Sequence, residues 1–183
     1  MLRTLSITAI TLLIFVSTQI SSAAAPKSPC LNDPAYNGWD FWLGSWEVHD
    51  KSGKLQGHNK ITKSADGCLI DERWTSVNNT NGYSLNYYNP VTKQWSQKWV
   101  SAGSVIEYSG AQTKPNELLL EGHLYNQAAR TKSDFKGTWT LLEDGRVRQL
   151  FEIYDAKKSQ WNIWFDGYYT KMPDDQAKQS SDK

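Results

Sequence analysis

From Trp42 onward the chain is divided into short segments in which apolar and polar side chains alternate, separated by clusters of Gly, Asn, Asp and Pro. Alternation with a period of two is typical of β-strands with one buried face, and helical periodicity is nearly absent. The pattern predicts strands at 43–49, 57–63, 67–75, 82–88, 94–101, 104–110, 117–124, 132–142, 146–154 and 160–170. Because the connections are too short for crossover helices and closure removes unpaired edges, we predict an all-β antiparallel meander closed into a barrel of 8–10 strands.

The amino terminus has the composition of a secretory signal peptide. Arg3 precedes an apolar stretch that is shorter than the roughly 20 residues needed to span a bilayer, and small residues follow it up to Ala25. A retained membrane anchor is the alternative. The predicted organisation is a signal peptide at 1–24, an N-terminal segment at 25–35, a barrel domain at 36–172 and a disordered polar tail at 173–183. We therefore expect a secreted or periplasmic protein with no membrane insertion after signal removal.

One short helix is predicted ahead of the barrel, within residues 33–41. Asp33 is suited to cap it, and Pro34 is suited to its first position because proline has no backbone N–H to leave unpaired.

Secretion also changes the interpretation of the two cysteines. An oxidising compartment permits a disulfide, and Cys30 and Cys68 can form only one. Two independent thiols are the alternative.

Net charge points to no partner. The chain has 20 Lys plus Arg and 19 Asp plus Glu, and removal of Arg3 with the signal peptide leaves the two signs in balance. A nucleic-acid-binding or membrane-surface protein would show a strongly basic domain, so we expect neither partner. With nine Trp and nine Tyr in the chain, we expect recognition through shape and aromatic contact.

Alternation assigns side chains to the two faces of the predicted strands. Trp95, Gln97 and Trp99 share an inward face, and Glu72 lies on the same face as Trp74. Strand 82–88 is ambiguous, since both of its faces carry residues of similar bulk. In the last strand, Trp161, Ile163 and Phe165 alternate with Asn162, Trp164 and Asp166.

The run from Phe41 to Val48 contains a Gly-x-Trp element at Gly44 and Trp46, which opens the first strand of lipocalin-like barrels after a short helix. Further matching elements are Gly57-x-Asn59-x-Ile61, Glu72-x-Trp74, Ser84-x-Asn86, Trp95-x-Gln97-x-Trp99, Gly137-Thr138-Trp139 and Phe165-Asp166-Gly167. Over residues 36 to 170 the chain resembles secreted bacterial lipocalin-like proteins of the calycin superfamily, whose function is uncharacterised. The resemblance implies a barrel around a cavity and, by analogy, a small ligand.

The residues favour a small-molecule binding protein over an enzyme. Apolar walls with a few orienting polar groups are typical of ligand pockets. The candidate ligand-binding residues are Asn59, Glu72, Trp74, Asn86, Trp95, Gln97, Trp99, Trp139, Gln149, Phe151 and Phe165. The expected partner is a small, partly apolar molecule, and the oligomeric state is left open. The alternative at this point is that the amides bond to one another and to water in a filled barrel.

Two other functions stay open. Glu72 is a weak catalytic candidate, because a carboxyl on an apolar face can exchange protons with a substrate in an isomerase, cyclase or hydrolase. Its structural alternative is an ion pair that holds the barrel closed. A third possibility is a protein-interaction module that docks a partner on its outer aromatic residues.

We expect no cofactor and no metal. Nitrobindin-like barrels bind haem through a histidine in their carboxyl-terminal strands, whereas His49, His58 and His123 lie elsewhere. Histidine and carboxylate spacing gives no metal-binding motif.

Overall fold

A computed structural model describes residues 28–173, in which ten antiparallel strands close into one barrel. The predicted signal peptide and residues 174–183 of the predicted tail lie outside the described residues. The strands are β1 Gly44–Asp50, β2 Leu55–Ser64, β3 Leu69–Ser76, β4 Asn81–Asn89, β5 Gln94–Ser101, β6 Ser104–Lys114, β7 Glu117–Asn126, β8 Thr131–Leu141, β9 Val147–Asp155 and β10 Gln160–Lys171. Each strand pairs with the next along the chain, and β1 pairs with β10. The predicted all-β meander barrel is confirmed.

Short helical turns lie between residue 28 and the barrel. Helix α1 spans Pro29–Asn32, and 3-10 turns follow at Pro34–Asn37 and Asp40–Trp42. The Asp33 carboxylate accepts a hydrogen bond from the Ala35 amide, which confirms its role as a cap. The predicted helix is therefore present as two separate 3-10 turns.

Cys30 and Cys68 form a disulfide that ties α1 to the residue just before β3. The predicted bridge is thus present, and it fixes the start of the described chain to the barrel wall. None of the described helices is long and apolar enough to cross a membrane.

Alternation along the strands determines which residues fill the barrel. On β4, Ser84 and Asn86 point inward, whereas Tyr83, Leu85 and Tyr87 are exposed on the outer face. The structure thus resolves the strand whose two faces looked alike in the sequence. Pairing with β3 determines which face of β4 points inward, because Ser84 lies opposite Glu72, whose side chain is inside the barrel.

The last strand departs from simple alternation. The pairing of β10 with β9 shifts between Ile163 and Phe165, so Trp164 is an extra residue in the ladder. One extra residue reverses the alternation along the strand, so odd-numbered residues before the bulge and odd-numbered residues after it point to opposite faces of the sheet. Trp161 and Ile163 consequently lie on the outer face and Phe165 on the inner one, so the alternation that grouped all three on one face is wrong here.

The two ends of the barrel differ. At one end, which we call the stoppered end, Trp39 and Trp42 are completely buried, with ring centroids 5.1 Å apart in a stacked pair. Trp39 also packs edge-on against Trp139 at 4.7 Å. The opposite end, which we call the open end, is formed by the loops 51–54, 77–80, 102–103, 127–130 and 156–159.

Candidate functional site

Glu72 lies at the centre of a polar cluster inside the barrel. Its side chain is only 3% exposed. One carboxyl oxygen accepts a hydrogen bond from Asn59 Nδ2 at 2.7 Å, and the other accepts one from Ser84 Oγ at 2.6 Å. None of the salt bridges found among residues 28–173 involves Glu72. The ion pair considered as the structural alternative is therefore not formed, and Glu72 is hydrogen-bonded to uncharged partners instead.

A chain of amides extends the cluster over β4, β5 and β6. Asn86 Nδ2 donates to Ser84 Oγ at 2.9 Å and to the carbonyl oxygen of Ile70 at 2.9 Å. Gln97 donates to Asn86 Oδ1 and to Ser84 Oγ, and its own carbonyl oxygen accepts from the Tyr108 hydroxyl. Every polar atom of the Asn86 and Gln97 amides is thereby occupied, as buried amides require.

A second arm of the cluster extends from Asn59 to β9 and β10. Asn59 Nδ2 donates to the Tyr169 hydroxyl at 3.2 Å, and that hydroxyl donates to Gln149 Oε1 at 2.6 Å. Asn59 Oδ1 is buried and has no hydrogen-bond donor within the described chain. The two arms together bridge non-adjacent strands across the barrel interior.

The protonation of Glu72 follows from this environment. Burial away from water raises the pKa of Glu72, while the hydrogen bonds from Ser84 and Asn59 act in the opposite direction. Burial, together with the proximity of Glu72, also raises the pKa of Tyr108 and of Tyr169 well above the ordinary value. Burial is the larger of these effects on Glu72, so the neutral acid persists to a higher pH than it would in water.

The open end is lined with aromatic side chains. Trp74, Trp99 and Phe165 point inward but are only partly buried, and Trp164 is 46% exposed. The bulge in β10 directs Trp164 toward the interior, where its ring lies 5.6 Å from that of Phe135 and 6.1 Å from that of Phe151. Four aromatic rings that retain contact with solvent therefore surround one mouth of the barrel.

Glycines on neighbouring strands make room for these rings. A Cβ atom at Gly57 would lie 2.7 Å from the Trp74 indole, and one at Gly82 would lie 3.0 Å from the Trp99 indole. The indoles therefore lie along the inner wall, which a side chain at either glycine would prevent.

The predicted ligand-binding residues occupy three levels of the barrel interior. Trp74, Trp99, Phe151 and Phe165 belong to the open end, whereas Trp95 and Trp139 pack against Trp39 at the stoppered end. Asn59, Glu72, Asn86, Gln97 and Gln149 form the polar cluster between them. Phe151 connects the two aromatic levels, since its ring lies 5.5 Å from that of Trp139 and 6.0 Å from that of Phe165.

The sequence analysis missed several residues of the site. Trp164 was assigned to the face opposite Phe165, and a bulge leaves no clear signal in alternation alone. Ser84, Tyr108 and Tyr169 were not selected, although Ser84 shares a face with Asn86 and that spacing could have identified it. Tyr108 and Tyr169 enter the cluster through contacts between distant strands, which no local pattern contains.

The histidines lie on the outside of the barrel in contact with acidic residues. His49 and His58 both approach Glu47, and His123 Nδ1 lies 3.2 Å from Asp134. Within residues 28–173, no three His, Cys, Asp or Glu side chains are grouped so as to hold a metal ion.

Comparison with known proteins adds no assignment. No protein-family model matches this chain, and no curated protein is similar enough to be identified as a relative.

Proposed function

We propose that this protein binds a small, partly apolar molecule at the open end of its barrel. The observation that carries the proposal is the partial exposure of Trp74, Trp99, Trp164 and Phe165 at one mouth, while the opposite mouth is filled by Trp39 and Trp42. Soluble proteins bury most large aromatic residues, and rings left at a concave mouth are typical of ligand sites. The resemblance to lipocalin-like proteins agrees with this proposal.

The interior below the mouth limits how deep the ligand reaches. The rings at the stoppered end are buried against one another, and both oxygens of Glu72 are already bonded to protein groups. The ligand therefore packs on the faces and edges of the rings at the mouth. Its affinity comes from apolar burial and ring contacts, which contribute about 0.5–1.5 kcal/mol per aromatic pair beyond burial.

A binding role is favoured over catalysis for the same reason. Each oxygen of the buried Glu72 carboxyl is hydrogen-bonded to a protein group, so the residue acts as a structural element of the barrel. The disulfide between Cys30 and Cys68 is compatible with an oxidising compartment. Together with the leader-like amino terminus, it supports a secreted or periplasmic location for this binding protein.

The experiment compares two tryptophans. Trp99→Ala removes a ring from the mouth, whereas Trp161→Ala removes an outer-face ring that packs on Tyr154 and Lys136. N-phenyl-1-naphthylamine serves as an uncharged aromatic probe, and its fluorescence reports binding to each variant. We expect Trp99→Ala to weaken binding at least about fivefold, which corresponds to about 1 kcal/mol, and Trp161→Ala to bind as the wild type does.

Equal loss in both variants, or no binding to the wild-type protein, would contradict the proposal. Circular dichroism of each variant confirms that the barrel is intact. Native mass spectrometry of protein taken from its own compartment then tests whether a small molecule accompanies it.

A further inference from the structure

A groove lies on the outer wall of the barrel beside the open end. It has a volume of about 480 Å³, and its lining comes from β5, β6, β7, β8 and the two loops that connect them in pairs. The backbone amide of Gln127 donates to the carbonyl oxygen of Gly103 at 2.9 Å, which joins the two loops at the end of the groove. A volume of this size is comparable to the pockets that hold small organic molecules.

The floor of the groove is apolar. Val100, Val105 and Tyr125 occupy adjacent positions on three neighbouring strands, because Val100 pairs with Val105 and Val105 pairs with Tyr125. Val100 is 53% exposed, although it is a β-branched apolar residue within β5. A ligand that covers these three side chains would remove apolar surface from water.

The polar side of the groove is cationic. Arg130 and Lys132 line it, and none of its nine lining residues is acidic. Among residues 28–173, no carboxylate forms a salt bridge with Arg130 or Lys132; Glu107 lies 2.8 Å from Lys98, and Asp134 lies 3.2 Å from His123. The groove therefore has two positive charges, and no carboxylate in its lining neutralises them.

The surrounding loops have the same sign of charge. The five loops of the open end contain Lys51, Lys54, Arg130, Lys157 and Lys158 and no acidic residue. Asp50 and Asp155 end the adjacent strands, and each carboxylate accepts hydrogen bonds from the backbone amides of its own loop. This excess of cations increases the local concentration of small anions.

We infer that this groove is a second binding site, which takes an apolar anion: a molecule with a hydrocarbon or aromatic body and a carboxylate, sulfate or phosphate head. The body covers Val100, Val105 and Tyr125, and the head lies between Arg130 and Lys132. Guanidinium and ammonium groups donate charge-assisted hydrogen bonds to such heads. The inference does not depend on binding at the mouth of the barrel, because the two sites share no lining residue.

The probe is 8-anilinonaphthalene-1-sulfonate, whose ring system is that of the uncharged N-phenyl-1-naphthylamine with a sulfonate added. The double variant Arg130→Gln, Lys132→Gln removes both cations of the groove. The matched control, Lys157→Gln with Lys158→Gln, removes the same charge from the same end outside the groove. All four positions are exposed, so the substitutions leave the core unchanged.

We expect the groove variant to bind the sulfonate at least about fivefold more weakly, since each exposed ion pair contributes up to about 1 kcal/mol. The control should stay within about twofold of the wild type, and the uncharged probe should not distinguish the variants. Amide chemical shifts should move near Val100 and Tyr125. Equal weakening by both double variants, or a sulfonate that shifts only the amides around Trp74 and Phe165 at the mouth of the barrel, would overturn the inference.

The anionic head can belong to a dissolved amphiphile or to a lipid surface. Sedimentation with phosphatidylglycerol vesicles, compared with phosphatidylcholine vesicles, separates these sources. Sedimentation that the groove variant abolishes and the control retains identifies a lipid headgroup. Sulfonate binding without sedimentation identifies a dissolved anion, and sedimentation that both variants retain would contradict a role for the groove at a membrane.

Discussion

We expect Glu72→Gln to remove the part of the pH dependence of this protein's stability that Glu72 contributes as the pH rises above about 4.3, the ordinary pKa of a glutamate in water. Glu72 is buried among uncharged groups, and burial raises its pKa in the folded protein. In the unfolded chain the carboxyl returns to water, where its pKa is about 4.3. Between that pH and the raised pKa of Glu72, the folded protein holds a proton that the unfolded chain has released.

The sign and size of the effect follow from this difference. Folding takes up a proton, so the free energy of unfolding is highest below the unfolded pKa and falls as the pH rises toward the folded pKa. The slope is at most about 1.4 kcal/mol per pH unit for one proton, and it extends from about pH 4.3 up to the pKa of Glu72 in the folded protein. Glutamine has nearly the same shape and stays uncharged, so its slope is absent.

Urea unfolding followed by tryptophan fluorescence at several pH values measures these slopes. Glu121→Gln is the control, since Glu121 is exposed on the outer face of β7. We expect the control to keep the wild-type slope and Glu72→Gln to lose the part of the slope that Glu72 contributes. Parallel slopes for the wild type and Glu72→Gln would refute a neutral buried acid.

Three further predictions concern the architecture, and the free energy of unfolding measures each. Replacing both Cys30 and Cys68 by Ser should lower it by about 3–4 kcal/mol, because the bridge closes a loop with a sequence separation of 38; an unchanged value would show that the tether is not stabilising. Trp42→Ala should cost about 3–5 kcal/mol, since the indole is completely buried, and a cost below about 1 kcal/mol would contradict its role in filling the stoppered end. Gly122→Ala should lower the free energy of unfolding by about 1–3 kcal/mol or more, because the alanine Cβ would lie 2.2 Å from the Glu107 carbonyl oxygen. A variant as stable as the wild type would disprove that close approach.

Local sequence was sufficient for the strands, because both their alternation and their turns are short-range features. All ten predicted strands are confirmed, with ends that differ by up to four residues. Alternation also placed Glu72, Gln97 and Gln149 correctly inside the barrel. It failed at Trp164, because a single extra residue in one strand reverses the faces, and only pairing with β9 reveals that residue.

The sequence by itself determined the meander, the inward polar residues and the two cysteines available for one bridge. The tertiary structure decided which aromatic rings are buried under Trp39 and Trp42 and which remain at the open end, since that depends on the direction of each strand in the closed barrel. It also decided how charge is arranged. Total charge is nearly balanced along the chain, but the meander brings alternate loops to the same end. Five cations from three loops that are distant in sequence therefore lie around the open end.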